Sequence, residues 1–143
     1  MASNHTTNYQ LCQWEAADKV LRTDFNEDNQ KIDAALAAVP KIAAGTYTGN
    51  GAAARTISLP FTPQAVFLCD QAGHTAEDVT YLQNKYFYGG LALAGHPVVA
   101  PGNFTLLSIA ENGFTVGQQT NSDTHYFYNG NYSGTVYHYL AIG

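Results

Sequence analysis

The segment from residue 45 to residue 143 constrains the fold most, because apolar and polar residues alternate along it and turn signals interrupt it at short intervals. Alternation with a period of two is typical of half-buried strands. Many short strands at regular spacing indicate an antiparallel β-sandwich or flattened barrel. The predicted strands are Gly45–Asn50, Arg55–Leu59, Ala65–Asp70, Tyr86–Leu93, Asn103–Glu111, Gly113–Gln119, His125–Asn129 and Thr135–Ile142.

Two of these stretches carry more specific predictions. Asn112-Gly113 stands between two alternating runs, which is a strong hairpin signal because both turn residues need positive φ. The last strand, Thr135–Ile142, has large residues on both faces, so we expect a central strand buried on both sides. For Tyr137 and Tyr139 in this strand we expect a packing role.

A helix is predicted upstream, over Asn26–Val39, where helix-forming residues dominate until Pro40. Asp24 is a suitable N-cap, and Glu27 follows three residues later as in a capping box. Thr23 is an alternative N-cap. The predicted organisation is therefore an N-terminal leader and helix over residues 1–44 and a β-sandwich head over residues 45–143.

The apolar positions of this helix are spaced four, three, four, three, as in a coiled-coil seam, with one polar member. Such a seam predicts self-association, and a polar residue within it fixes register and strand number at a cost in stability. The alternative is an ordinary amphipathic helix lying on the β-domain. The predicted oligomerisation residues are Phe25, Asn29, Ile32, Leu36 and Val39.

The residues before the helix show no clean period, so we expect an extended or looped leader in which Trp14 packs against something. No secretory signal is apparent at Met1, which favours free thiols at Cys12 and Cys69 over a disulfide. Cys69 lies in an apolar run and is expected to be buried.

Charged residues make up only 12% of the chain, and its formal net charge is −5. Nucleic-acid binders need clustered Lys and Arg, and no such cluster occurs among the six basic residues. The apolar runs are shorter than the roughly 20 residues of a membrane-spanning helix. We therefore expect neither a nucleic-acid partner nor membrane insertion.

Signals of catalysis are weak. Glu77, Asp78, Glu111 and Asp123 are acids near turns, where solvated side chains are more common than paired catalytic carboxylates. The five histidines and two cysteines lack zinc spacing. An axial metal held by His125 or His138 of several copies is an alternative to ordinary strand histidines. We expect no enzyme activity, no metal and no cofactor.

Tyrosines and asparagines gather around two turns, and the chain holds ten tyrosines in all. Aromatic faces stack on sugars, and amides exchange hydrogen bonds with hydroxyls; tyrosine is also the adaptable contact residue of protein paratopes. The alternative is that these residues pack the core and the subunit interfaces. The predicted ligand-binding residues are Tyr86, Tyr88, Tyr126, Tyr128, Asn129, Asn131 and Tyr132.

Two stretches of the chain resemble a known family. The Trp14-Glu15-x-x-Asp18 element followed by Asp24-Phe25-Asn26 and Ile32-Asp33 resembles the leader of phage and prophage tail proteins from gut Firmicutes. The stretches 45–51, 55–59, 61–66, 112–116 and 134–143 are similar to a small β-domain at the distal end of phage tail fibres. The segment 71–84 matches neither.

This resemblance implies a homotrimer with a helical neck, located in the virion tail, whose tips contact host cell-surface carbohydrate and whose other end meets tail or baseplate proteins. The expected function is thus that of a tail-fibre or receptor-binding protein. A structural tail or baseplate adaptor without a glycan site is the alternative. A small carbohydrate-active enzyme is a third, weaker expectation.

Overall fold

The computed structural model describes residues 1–121 and 123–143. These residues form two compact units, Met1–Pro40 and Lys41–Gly143. The protein is mainly β, with one α-helix in the described ranges and antiparallel sheets in a sandwich-like arrangement, so the predicted fold class is confirmed. The boundary between the units lies four residues earlier than predicted, because the first long strand already begins at Ile42.

The first unit contains β1 (Asn4–His5), β2 (Cys12–Gln13) and α1 (Arg22–Ala37). The second unit contains β3 (Ile42–Thr48), β4 (Ala54–Ser58), β5 (Ala65–Asp70), β6 (Ala76–Val79), β7 (Asn84–Phe87), β8 (Gly90–Leu93), β9 (Val98–Ala100), β10 (Phe104–Ala110), β11 (Gly113–Asn121), β12 (Tyr126–Asn129) and β13 (Val136–Ile142), with a 3-10 turn at Thr80–Leu82.

The strands of the second unit form two sheets. One has the order β3-β13-β5-β8, and its neighbours are all antiparallel. The other has the order β6-β7-β12-β11-β10-β9, with β4 paired to β11. In this second sheet β7 and β12 run parallel. The long connection that a parallel pair requires is supplied by the chain between residues 88 and 125.

The core lies between the two sheets. Tyr137 and Val66 from the four-stranded sheet meet Phe114, Val116 and Leu107 from the larger one, and all five side chains are fully buried. Removing a large apolar side chain from water contributes roughly 1.5–3 kcal/mol. This core therefore supplies much of the stability of the second unit.

β13 is central, as predicted, but only one of its faces is buried. Tyr137 and Ala141 point into the core, whereas His138, Leu140 and Ile142 are exposed. The prediction of burial on both sides was wrong because the larger sheet covers one face of β13 only. Apolar residues on the other face remain in contact with solvent.

The helix begins two residues before the predicted cap. Leu21 occupies the N-cap and makes no side-chain hydrogen bond, so the predicted caps at Asp24 and Thr23 were wrong. Asp24 lies instead in the first turn, where a negative charge favours the helix dipole. The helix ends at Ala37, so Val39 lies beyond it.

The predicted hairpin exists, but its turn is shifted. Ala110 pairs with Gly113, so Glu111 and Asn112 form the two-residue loop, with φ +51° at Asn112. Gly113 itself is close to extended. A side chain there would collide with the carbonyl of Ile57 at 2.1 Å, since β4 passes close by. Gly113 is thus required by strand packing rather than by the turn.

The predicted strand Tyr86–Leu93 is two strands in different sheets. β7 ends at Phe87, and β8 begins at Gly90, so the chain crosses between the sheets at Gly89-Gly90. A Cβ on Gly89 would lie 2.1 Å from the carbonyl oxygen of Leu68. Only glycine fits this close backbone approach.

The two ends of the second unit meet. The Lys41 N–H donates to the Gly143 carbonyl at 2.7 Å, and the Gly143 N–H donates to the Lys41 carbonyl at 2.8 Å. These bonds extend the pairing of β3 with β13 by one further residue pair.

Candidate functional site

A cleft of about 620 Å³ opens beside β7 and β12. We call it the aromatic cleft, because four of its eight lining residues are aromatic. The strand ends contribute one wall, and the loop from β12 to β13 contributes another. The lining residues are Asp70, Tyr86, Tyr88, Thr120, Phe127, Asn129, Tyr132 and Thr135.

Strand pairing explains why aromatic rings gather in this cleft. Tyr86 on β7 lies opposite Phe127 on β12, so both side chains emerge on the same face of the sheet. Their ring centroids are 4.8 Å apart, with planes inclined by 22°. Tyr88 continues the row on the other side of Tyr86, at 6.3 Å and nearly parallel at 7°. The cleft therefore contains a row of three aromatic rings.

Glu77 restrains one end of this row. The Tyr88 hydroxyl donates to the Glu77 carboxylate at 3.1 Å. Burial and this hydrogen bond raise the pKa of Tyr88 well above that of an ordinary tyrosine. The hydroxyl consequently stays protonated and remains a donor at all physiological pH values.

The polar side of the cleft is formed by an acid and an amide. Asp70 fixes the adjacent turn by accepting hydrogen bonds from the backbone N–H groups of Ala72 and His74, at 3.0 and 2.7 Å. Asn129 is nine-tenths buried, and its side-chain oxygen has no hydrogen-bond partner in the part of the chain that the structure describes. A buried acceptor without a donor costs roughly 1–3 kcal/mol. A ligand hydroxyl is the kind of group that would satisfy it.

Two buried tyrosine hydroxyls make hydrogen bonds to the backbone of the segment from Asn129 to Tyr132. The Tyr137 hydroxyl donates to the Asn129 carbonyl and accepts from the Tyr132 N–H, the latter at 3.1 Å. The Tyr47 hydroxyl donates to the Gly130 carbonyl at 2.5 Å. Burial raises the pKa of both Tyr47 and Tyr137, so both hydroxyls keep their protons. Two buried tyrosines therefore preorganise one wall of the cleft.

Asn131 anchors the same loop to a neighbouring one. It is completely buried, and its amide donates to the Asn50 side-chain oxygen at 2.6 Å and to the Ala52 carbonyl at 2.9 Å. Its own oxygen accepts from the Asn50 N–H at 3.2 Å. Asn131 thus positions the loop and is not free to contact a ligand.

The seven predicted ligand-binding residues are divided by the structure. Tyr86, Tyr88, Asn129 and Tyr132 line the aromatic cleft. Tyr126 and Tyr128 point to the opposite face of the sheet, where they line a smaller pocket of about 250 Å³ with Phe104. Tyr128 is 4% exposed, and its hydroxyl donates to the Pro101 carbonyl at 2.6 Å. Its position is that of a packing residue.

The sequence interpretation missed Phe127, Asp70, Thr120 and Thr135, which also line the cleft. For Phe127 a signal existed, since residues 127 and 129 share a strand face that residues 126 and 128 do not. Thr120 could not be found in this way, because its position depends on the pairing of β11 with β12.

The predicted oligomerisation residues all lie on an open surface within the first unit. Phe25, Asn29, Ile32, Leu36 and Val39 are exposed. The opposite side of α1 faces the leader, where the Asp28 carboxylate accepts from the Cys12 N–H at 2.8 Å. The leader thus leaves the seam uncovered.

Glu77 and Asp78 do not form a pair around one groove. Glu77 and Asp78 are consecutive in β6, so their side chains point to opposite faces. Asp78 lies 3.4 Å from Lys85 in an exposed ion pair. Within residues 1–121 and 123–143, no group of three His, Cys, Asp or Glu side chains is placed to hold a metal ion.

His125 and His138 have different surroundings. The Nδ1 atom of His125 lies 3.1 Å from the Asn84 side-chain oxygen. His138 is exposed on the outward face of β13. Both cysteines are free thiols, and Cys69 is buried as expected.

No helix in the described part of the chain has the length and apolar character needed to cross a membrane. Comparison with protein-family models, with curated proteins and with solved structures found no match to this chain.

Proposed function

We propose that this protein is the receptor-binding part of a phage or prophage tail fibre and that it binds host cell-surface carbohydrate in the aromatic cleft. The observation that carries the proposal is the row of Phe127, Tyr86 and Tyr88 beside the polar groups of Asp70 and Asn129. The resemblance of the leader and the β-domain to tail proteins supports the biological setting.

The chemistry of the cleft fits a sugar better than a charged or purely apolar ligand. The C–H face of a pyranose packs on an aromatic ring, and the ring face carries partial negative charge that favours this contact. The volume of about 620 Å³ lies within the range of small-ligand sites and accommodates two or three sugar units. Asn129 supplies an acceptor, and the Tyr88 hydroxyl oxygen, whose proton is donated to Glu77, can accept a hydrogen bond from a sugar hydroxyl.

The proposal includes a homotrimer assembled through α1. The exposed seam residues Phe25, Ile32 and Leu36 have the spacing of a coiled coil, and exposing them in a single chain is unfavourable. Three clefts on one particle would bind a repetitive surface glycan with an avidity well above that of one site. The same assembly would sit in the virion tail, attached to other tail or baseplate proteins.

The deciding experiment measures binding of the intact oligomer to a glycan array and to host cells. We expect binding to defined surface glycans, and we expect Tyr86→Ala to weaken it at least tenfold, which equals about 1.4 kcal/mol. Tyr81→Ala is the matched control, because Tyr81 is 85% exposed and does not line the cleft. An intact oligomer that binds no glycan and no cell would favour the structural adaptor instead.

A further inference from the structure

The outward surface of the four-stranded sheet is apolar and open to solvent. We call it the outer sheet face and define it by six large side chains that are each 40–66% exposed. They come from all four strands of the sheet. These residues are Ile42, Phe67, Leu91, Leu93, Leu140 and Ile142.

Strand register makes these six side chains one continuous surface. Residues opposite each other in antiparallel strands lie side by side on the same face. The register gives one row of Ile42, Ile142, Ala65 and Leu93 and a second row of Ala44, Leu140, Phe67 and Leu91. Shallow recesses are left at Ala65, which lies between Ile142 and Leu93, and at Ala44, which lies beside Leu140 on the edge strand β3.

The outer sheet face carries no formal charge from Asp, Glu, Lys or Arg. At its outward positions in the four described strands the remaining residues are alanines, threonines, Cys69, Val136 and His138. The chain as a whole has a net charge of −5. The outer sheet face offers no Asp, Glu, Lys or Arg side chain for an ion pair with a charged partner. Two identical copies can pack on this face without repulsion between like charges.

The area of the face is sufficient for self-association. With roughly 200 Å² for a fully exposed large residue, the six side chains expose about 600 Å², the upper limit of what single chains usually leave open. Two such faces would bury about 1,200 Å² together, the lower end of stable, specific interfaces. A larger foreign partner is not needed to account for the patch.

We propose that the outer sheet face is covered by the same face of another copy of this chain. Two sheets packed in this way lie about 10 Å apart, with side chains of one inserted between those of the other. The recesses at Ala44 and Ala65 receive the large side chains of the neighbouring copy. This contact is separate from the seam of α1 and does not depend on glycan binding. Because it pairs identical faces two by two, it joins copies that belong to different seam trimers.

The test separates the two association surfaces. Ile32→Glu with Leu36→Glu removes the seam, and the full-length chain that carries both changes should still associate at micromolar concentration by light scattering. Adding Phe67→Glu and Leu140→Glu should then reduce the mass to that of one chain, 15.4 kDa. Tyr81→Glu, which adds a charge at an exposed site outside the face, should leave the mass unchanged.

A pair of alanine substitutions controls for misfolding caused by the introduced glutamates. Phe67→Ala with Leu140→Ala in the same seam-free chain removes contact area without adding charge. Its dissociation midpoint should rise by about tenfold or more, while its circular dichroism spectrum stays that of the parent. The proposal is overturned if the seam-free chain is already a monomer, or if neither pair of changes in the outer sheet face alters its association.

Discussion

The rings of Tyr47 and Tyr137 stack with centroids 4.9 Å apart and planes inclined by 16°, and their hydroxyls bind the carbonyls of two consecutive residues, Gly130 and Asn129. The two tyrosines come from β3 and β13, which are adjacent strands of one sheet. The carbonyls belong to the last residue of β12 and the first residue of the turn after it, in the other sheet. One aromatic pair therefore connects the core to a wall of the aromatic cleft.

Tyr137→Phe is expected to lower the free energy of unfolding by about 2 kcal/mol, because it leaves the Asn129 carbonyl and the Tyr132 N–H without a partner in a buried setting. Tyr47→Phe, which removes a single hydrogen bond, should cost about 1 kcal/mol. Urea unfolding monitored by circular dichroism measures both values. Tyr81→Phe is the exposed control and should change stability little. Equal stabilities of all three variants would contradict the assigned role.

Asn131→Ala is expected to weaken both stability and glycan binding, although Asn131 does not line the cleft. The change leaves the Asn50 N–H and the Ala52 carbonyl without their partner and removes one of the two donors to the Asn50 side-chain oxygen, at a cost of about 2–3 kcal/mol. The loop that carries Asn129 and Tyr132 would then lose its anchor.

The measurements are urea unfolding and glycan affinity, with Ser133→Ala as an exposed control two residues away. A variant that loses stability but keeps its full affinity at temperatures where it is folded would show that Asn131 does not position the cleft.

The first unit should lose its structure in acid before the second. Hydrogen bonds from Ser3 and the Glu15 N–H lower the pKa of Asp18. For Asp28, burial opposes ionisation, but hydrogen bonds from Cys12 and Lys31 outweigh it and the pKa is lowered. A carboxyl with a lowered folded-state pKa stabilises the fold above its unfolded pKa of about 3.9, and this contribution disappears as the pH falls through the folded value.

Trp14 makes this acid transition measurable, because it is the only tryptophan of the chain and lies in the first unit. Its fluorescence should change below about pH 4, while far-ultraviolet circular dichroism of the β-structure persists. Asp18→Asn with Asp28→Asn should remove most of the pH dependence, whereas Asp33→Asn on an exposed site should not. Fluorescence that stays constant down to pH 3 in the parent chain would contradict the role of these carboxyls.

Asn29→Ile is expected to strengthen association through α1, because it replaces the polar seam member with an apolar one. It should also weaken the preference of the helices for a single register and a single oligomer state. Light scattering and the dependence of Tm on protein concentration report both effects. Asn26→Ile, at an exposed helix position outside the seam, is the control. The seam assignment fails if both substitutions have the same effect.

The secondary structure was largely predictable from local pattern. The predicted strand Ala65–Asp70 has the observed bounds, and the predicted helix began four residues too late and ended two residues too late. The errors arose where tertiary packing decides. Leu21 rather than Asp24 occupies the N-cap of α1, and Asp24 is buried in the first turn, 3.8 Å from the N-terminal amine. β6 and β9 were missed, since short strands at a sheet edge carry little periodicity.

The cleft was only half predictable, since composition shows which residues can bind a sugar but not which ones share a surface. Tyr126 and Tyr128 resemble Tyr86 and Tyr88 in sequence, yet the pleat of β12 points them to the opposite face. Asn131 is close to Asn129 in sequence, but its amide donates hydrogen bonds to Asn50 and Ala52 and does not line the cleft. Distinguishing such neighbours requires the register of β7, β11 and β12.

The mutual hydrogen bonds of Lys41 and Gly143 place the first and last residues of the second unit side by side. Because the chain enters and leaves the domain at one point, the domain can be transplanted as a cassette into a surface loop of an unrelated carrier without stretching either junction. The same geometry permits a circular permutant in which a short linker joins residues 143 and 41 and new ends open at Gly95. A gene exchange that moved residues 41–143 as a unit would keep both junctions side by side.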